Sequence, residues 1–270
     1  MNQRVSVLDP HLDALIEQVA ERQRADFGHM ASDVKADGSL ITACDRWSDR
    51  QLAEGLARLF PGEGVLSEEG QQGVPDSEAY WVVDPLDGTT NFAAGIPYWA
   101  ISIARYERGV PVLAILDVPP LRQRIVAVRG QGAWRNGKPL PPPSSQPRLK
   151  GTSCASLCSR SIRVLQALPD RRFPGKIRLL GVASLNLVSV ALGQTVAALE
   201  ATPKIWDLSA AWLVLSELDC PMRWLSHAPE GLLPGTDLAA TDFPVLVARN
   251  QDTLERFMPW AAALQVERQA

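Results

Sequence analysis

Trp81-Val82-Val83-Asp84-Pro85-Leu86-Asp87-Gly88-Thr89-Thr90-Asn91-Phe92 is the stretch from which the rest of the chain can be read. The apolar run over residues 80–83 has the composition of a buried strand, and it stops at a carboxylate, Asp84. Pro85 then fixes the backbone for a turn. Asp87 follows three residues after Asp84, and Gly88 lets the chain pass close to a ligand. Thr89 and Thr90 add two hydroxyls before apolar residues resume. Two aspartates around one peptide carbonyl, followed by amides and hydroxyls, provide hard oxygen ligands and anion donors. That set suits Mg²⁺ and phosphate together. Asp-Pro and Asp-Gly are also ordinary turn dipeptides, so a solvated acidic loop is the competing reading. The rest of the chain must decide between them.

The chain has 270 residues, 46% hydrophobic and 21% charged, enough for one large domain or two smaller ones with a proper core. A formal net charge of -3 leaves no electrostatic footprint for nucleic acid or an anionic membrane. No secretory signal and no bilayer-length apolar run is visible, so the expectation is a cytoplasmic protein without a membrane partner. Cys44, Cys154, Cys158 and Cys220 lack zinc-site spacing and read as reduced thiols. His11, His29 and His227 are scattered, which argues against a histidine-based nucleophilic mechanism.

Asp9-Pro10 marks a helix start, and Leu12, Leu15, Ile16 and Val19 form one apolar helical face behind it. A polar turn around Gly38 leads through Leu40-Ile41-Thr42 to Asp45. A second helix is expected over residues 48–60, then a short strand at Val65-Leu66 ending in Ser67-Glu68-Glu69-Gly70. Strands are expected over residues 100–106, 110–118 and 124–128, with Asn136-Gly137 a hairpin turn. The proline-rich residues 139–147 read as a linker. The boundary expected there divides an N-terminal α+β half, 1–143, from a C-terminal α/β half, 144–270. In the second half helices are expected over 161–168, 184–192 and 207–218, with a last one capped by Asn250. Extended segments fall between them.

Three acidic groups thus sit at strand ends or helix starts: Glu68-Glu69, Asp84 with Asp87, and Asp207. Each has a plain structural reading, a solvated turn for the glutamates and a helix N-cap for Asp207 or Asp45. In combination they carry a resemblance. Residues 84–92 resemble the first signature of the inositol monophosphatase family. Trp206-Asp207-Leu208-Ser209-Ala210-Ala211 resembles its second, and Leu66-Ser67-Glu68-Glu69 its upstream acidic motif. The resemblance runs from Lys35 through Asp45 to the Trp206-Asp207 helix, with the motifs in the family's order.

That resemblance implies a layered αβαβα sandwich of the inositol monophosphatase and fructose-1,6-bisphosphatase type, in the α+β class. It also implies Mg²⁺-dependent phosphomonoester hydrolysis with two or three ions. Glu68, Asp84 and the Leu86 carbonyl would ligate one ion. Asp84, Asp87 and Asp207 would ligate a second, and Glu68 would reach a third. Asp45 and Thr89 would orient and deprotonate the attacking water, with Glu68 counted among the catalytic residues. The Gly88 and Thr89 amides would hold phosphate oxygens at a helix N-terminus. Ala183 in the Gly181-Val182-Ala183-Ser184 loop, Glu200 and Asp207 would face the alcohol. Lys35 matches a lysine near the third ion. The family further implies a homodimer, Li⁺ inhibition, and a small phosphorylated polyol or sugar as substrate. Fructose 1,6-bisphosphate, histidinol phosphate and nucleotide 3′-phosphates are alternatives, and a non-catalytic metal-binding regulator is a different class of reading. Ser67, Val182, Ser209 and Ala211 depart from the family pattern; none removes a ligand.

Overall fold

The computed structural model describes residues 8–29, 31–35, 38–143 and 153–269. Helix α1 (Pro10–Asp26) starts where Asp9 Oδ1 accepts the amides of His11 at 2.8 Å and Leu12 at 3.3 Å, and it buries Leu12, Ile16, Val19 and Ala20. A short antiparallel hairpin, β1 (Ser32–Val34) and β2 (Leu40–Thr42), leads into α2 (Ala43–Leu59). This helix begins before the expected residue 48 because Thr42 is its N-cap. The Thr42 hydroxyl accepts the Cys44 and Asp45 amides, and the Asp45 carboxylate returns to the Thr42 amide at 2.8 Å. Asp45 is therefore the third residue of a capping box, not the cap.

Seven strands form the larger sheet in sequence order: β3 (Gly64–Ser67), β4 (Ala79–Asp87), β5 (Ala100–Glu107), β6 (Val110–Val118), β7 (Gln123–Val128), β8 (Gly132–Arg135) and β9 (Lys138–Pro139). Only β3 and β4 run parallel. Asn136 and Gly137 make the expected turn between β8 and β9, both with positive φ (50° and 75°). A one-turn helix, α3 (Thr89–Ala93), follows β4.

The second sheet has the order β11 (Lys176–Arg178), β10 (Cys154–Leu157), β12 (Ala197–Glu200), β14 (Val245–Ala248) and β13 (Met222–Trp224). Its helices are α4 (Val164–Ala167), α5 (Ala183–Ala191), α6 (Ile205–Glu217) and α7 (Gln251–Gln269). The expected division between residues 143 and 144 borders residues 144–152, which lie outside the described residues, while the first residue of the proposed linker, Pro139, closes β9.

Alternation along the strands sets the layers. Trp81 and Val83 of β4 face α1 and α2, packing with Leu12, Ile16, Leu52 and Leu56. Their neighbours Tyr80 and Val82 point the other way, toward α5 and α6. Those two helices also cover Ala198, Val245 and Val247 of the second sheet, whose opposite face meets Phe257 and Trp260 of α7. The result is helix, sheet, helix, sheet, helix. Position in this stack explains helix composition. α1 has one buried stripe, whereas α5 and α6, between two sheets, are buried almost all round. No helix among the described residues is long and apolar enough to cross a membrane.

Candidate active site

Strand β4 does not end at Val83, as its apolar run suggests, but continues to Asp87. In a regular strand residues 84 and 87 would project from opposite faces, because side chains alternate with a period of two. Here Asp84 pairs with Ser102 and Asp87 with Ala100, so three steps on β4 oppose two on β5. The extra residue is a β-bulge at Pro85-Leu86, and it turns both carboxylates to one side. Pro85 suits the position because it has no amide to give to the ladder. Its carbonyl is not wasted: Gln23 Nε2 of α1 donates to it at 2.7 Å.

Asp207 arrives from the second half of the chain as the third residue of α6. It is not the N-cap, a place Lys204 occupies, and its Oδ2 accepts the Lys204 amide at 2.8 Å. One carboxylate oxygen each from Asp84, Asp87 and Asp207 lies within 4.8 Å of the others. Asp84 and Asp87 are buried. Burial pushes the Asp84 and Asp207 carboxyls well above the usual range, reinforced in both by the charges of Glu68 and Asp87 and, for Asp84, by that of Asp207. Burial also raises Asp87 to about 6, against the amides of Ser184 and Ala183 that favour its charged form. Three carboxyls this close together, Asp84 and Asp87 buried and Asp207 half-buried, are a donor set short of positive charge. Three carboxylates and the nearby Leu86 carbonyl match what Mg²⁺ takes from a protein. They line a cleft of about 180 Å³ together with Ser39, Leu40, Glu68, Leu86, Gly88, Thr89, Thr90 and Gly181.

On the same wall Thr89 Oγ1 donates to Asp45 Oδ1 at 2.7 Å, and Leu86 O lies 3.1 Å from that hydroxyl. The capping box holds the other Asp45 oxygen through the Thr42 amide, so this carboxylate is aimed before any substrate arrives. Gly88 has φ 105°, and an added Cβ would lie 2.8 Å from Val182 Cγ2 and 3.3 Å from Tyr98 O. Only glycine fits there. Because α3 is five residues long, the expected helix N-terminus is a single turn. Its first amides, free of intrahelical partners, are its contribution rather than a developed dipole.

Glu68 lines the cleft but is not part of the trio; its Oε1 accepts from Lys35 Nζ at 2.8 Å, and Glu69 accepts from the same ammonium at 2.5 Å. Burial works against the Lys35 charge, but the two glutamates outweigh it and hold the ammonium above its ordinary pKa. Ala183 and Glu200 are not among the described residues that line the cleft. The Ala183 amide is given to Asp87 at 3.3 Å, and Gly181 of the same loop reaches the wall instead. Glu200 is buried and accepts from Asn186 Nδ2 at 2.8 Å; burial lifts its carboxyl to about 8.

Two buried amides brace the surroundings, Gln23, which no motif singled out, and Asn91, which lies within the first signature. Gln23 fastens Pro85, reaches Ser48 Oγ at 3.2 Å, and accepts from Trp99 Nε1 at 3.0 Å. Asn91 bridges two backbone segments. Glutamine on an apolar helical face was the available signal for Gln23. Ser209, a departure from the family pattern, hydrogen-bonds the Tyr106 hydroxyl at 2.8 Å and the Ile205 carbonyl at 2.6 Å, tying α6 to β5.

Residues 6–255 match the inositol monophosphatase family. A histidinol-phosphatase of Mycobacterium tuberculosis is 34% identical over 218 residues, covering 76% of this chain and 82% of that protein. An inositol-1-monophosphatase of Rhizobium meliloti is 33% identical over 219 residues, covering 77% of this chain and 81% of that one. Among solved structures, an IMPase/NADP phosphatase complexed with Mg²⁺ and phosphate shares the fold with a TM-score of 0.75 at 25% identity, over 90% of this chain and 92% of that chain. This chain belongs to the inositol monophosphatase family of phosphoric monoester hydrolases.

Proposed function

We propose that the chain hydrolyses inositol monophosphate or a related sugar or polyol phosphate, with Mg²⁺, by in-line attack of an activated water. The observation that carries this reading is the Thr89–Asp45 hydrogen bond, 2.7 Å long, beside the Asp84, Asp87 and Asp207 carboxylates in one cleft. Glu68, Asp84 and the Leu86 carbonyl would hold one ion, and Asp84, Asp87 and Asp207 a second. Bound Mg²⁺ would lower the pKa of a water and offset phosphate charge. Thr89 takes the water's proton as its own passes to Asp45, whose oxygens the Thr42 and Thr89 contacts orient. The Gly88 and Thr89 amides receive phosphate oxygens, and Asp207 with the loop of Gly181 and Ala183 bounds the alcohol side. Glu200 acts from behind that loop, through Asn186.

Fructose 1,6-bisphosphate, histidinol phosphate and nucleotide 3′-phosphates remain the alternatives of the same chemistry. A purely regulatory, non-catalytic protein has no use for an oriented Thr89–Asp45 pair. The N-terminal half as metal carrier, the C-terminal half as substrate side, a homodimer and a cytoplasmic location belong to the same proposal. The test is phosphate release from inositol, sugar, polyol, histidinol and nucleotide phosphates, with Mg²⁺ and with EDTA. Release from none of them under Mg²⁺ refutes the enzyme reading.

A further inference from the structure

Residues 87–91 do more than line the cleft: they grip the loop that enters α5 at three points. The Asp87 carboxylate accepts the amides of Ala183 at 3.3 Å and Ser184 at 2.7 Å. Gly88 lies against Val182, as its missing Cβ shows. Asn91 Nδ2 donates to Leu180 O at 2.7 Å and to Tyr98 O at 2.9 Å. Gly181, between these anchors, has φ 73°, and a Cβ there would come within 3.2 Å of Asn91 Oδ1.

Apart from these contacts the loop is held by Val182, whose side chain is buried in the core. Val182, at the N-cap of α5, offers no side-chain cap, and Leu179 and Leu180 are 48% and 37% exposed. The chemistry at position 91 is specific. Two carbonyl oxygens converge on one nitrogen that carries two hydrogens, a demand that a primary amide meets and a carboxylate cannot. Asn91 is also buried, where a hydrogen bond is electrostatically stronger and an unpaired carbonyl more costly.

We infer that Asn91 is a positioning residue for the alcohol half of the substrate. Through the Leu180 carbonyl it sets Gly181 in the cleft wall, without touching the Asp45–Thr89 pair that handles the water. The inference rests on the phosphatase reading above. It is tested with Asn91→Ala and Asn91→Asp, by backbone hydrogen exchange and by kinetics on two substrates. Exchange should quicken at residues 180–184 and stay as it is across α2 and β5. KM for inositol monophosphate should rise about tenfold, the scale of one or two lost buried hydrogen bonds. For para-nitrophenyl phosphate, whose aryl group has no hydroxyls to place, KM should rise less than about twofold on the same reasoning. Unchanged exchange at 180–184, or equal losses on both substrates, overturns the positioning role and leaves the phosphatase reading standing. Wild-type protein that releases phosphate from neither of these nor any member of the panel above refutes the phosphatase reading itself.

Discussion

Replacing Asp84 by asparagine should make the metal-free protein more stable while removing its response to Mg²⁺. Asp84 is the cleanest of the three acids to change. Asp87 holds two amides at the start of α5 and Asp207 completes a capping box, whereas Asp84 accepts the Leu86 amide at 2.9 Å, which asparagine Oδ1 can also accept. Two unit charges 4.8 Å apart repel by about 3.5 kcal/mol at an effective dielectric constant of 20. Proton uptake limits the penalty. Burial and the neighbouring acids raise the Asp84 carboxyl, and a carboxyl so raised can take a proton rather than bear the whole repulsion. Allowing for the burial of a polar amide, a gain of about 1–2 kcal/mol is expected, or about 2–6 °C in Tm for a chain of this size. Wild-type protein with Mg²⁺ at a hundred times its Kd should gain about 2.7 kcal/mol, and the variant should lose most of that gain. Thermal melts in EDTA and in Mg²⁺, from pH 5 to 8, provide the comparison. The pH dependence has a definite sign. A raised folded-state pKa gives stability that is complete below the unfolded value and disappears as pH rises through the folded one. Metal-free wild type should therefore weaken from pH 5 to 8, and the variant less so. A variant that melts below wild type in EDTA, or that keeps the full Mg²⁺ shift, would refute this account of the trio.

Three further outcomes can be checked directly. Thr89→Ala and Asp45→Asn should each lower kcat by about 10²–10³ with little change in KM, since the pair acts on the water's proton, and the double variant should be hardly worse than either. Gly88→Ala should destabilise by more than the 1–3 kcal/mol of a strained backbone, because its Cβ also meets Val182; adding Val182→Ala should recover part of the loss in urea melts. Glu200, lifted to about 8 by burial, contributes stability that is present below about 4.5 and lost as pH rises through 8. Glu200→Gln should thus melt above wild type at pH 8.5, with the gap closing toward pH 4.

Much of the molecule was legible because local chemistry acts over a few residues. Asp9-Pro10 and the spacing of Leu12, Ile16 and Val19 specify α1, and Asn136-Gly137 specifies its turn, through caps and backbone preferences that need no distant partner. The family motifs gave the residue types of a metal and phosphate site in order along the chain. What local signals could not supply was which face each side chain takes. Asp84 and Asp87 share a face only because β5 pairs with β4 out of step, and that register is a property of two strands. The start of α2 was missed for a related reason: Thr42 ends a strand and caps a helix at once, and the extended reading of Leu40-Ile41-Thr42 hid the cap.

The sequence by itself determined the inventory: carboxylates at 68, 84, 87 and 207, a threonine at 89, an aspartate at 45 and a glycine at 88, each tied to a recognisable motif. Tertiary structure decided their alliances. It joined three carboxylates into one electrostatic unit and set Glu68 against Lys35. It withdrew Glu200 into the interior, and it turned Gln23 and Asn91 into the amides that brace the site. The physical reason is range. Composition and periodicity report on contacts within a turn or two of chain, whereas pKa, burial and the convergence of carbonyls depend on segments 60 to 100 residues apart, brought together when five layers pack.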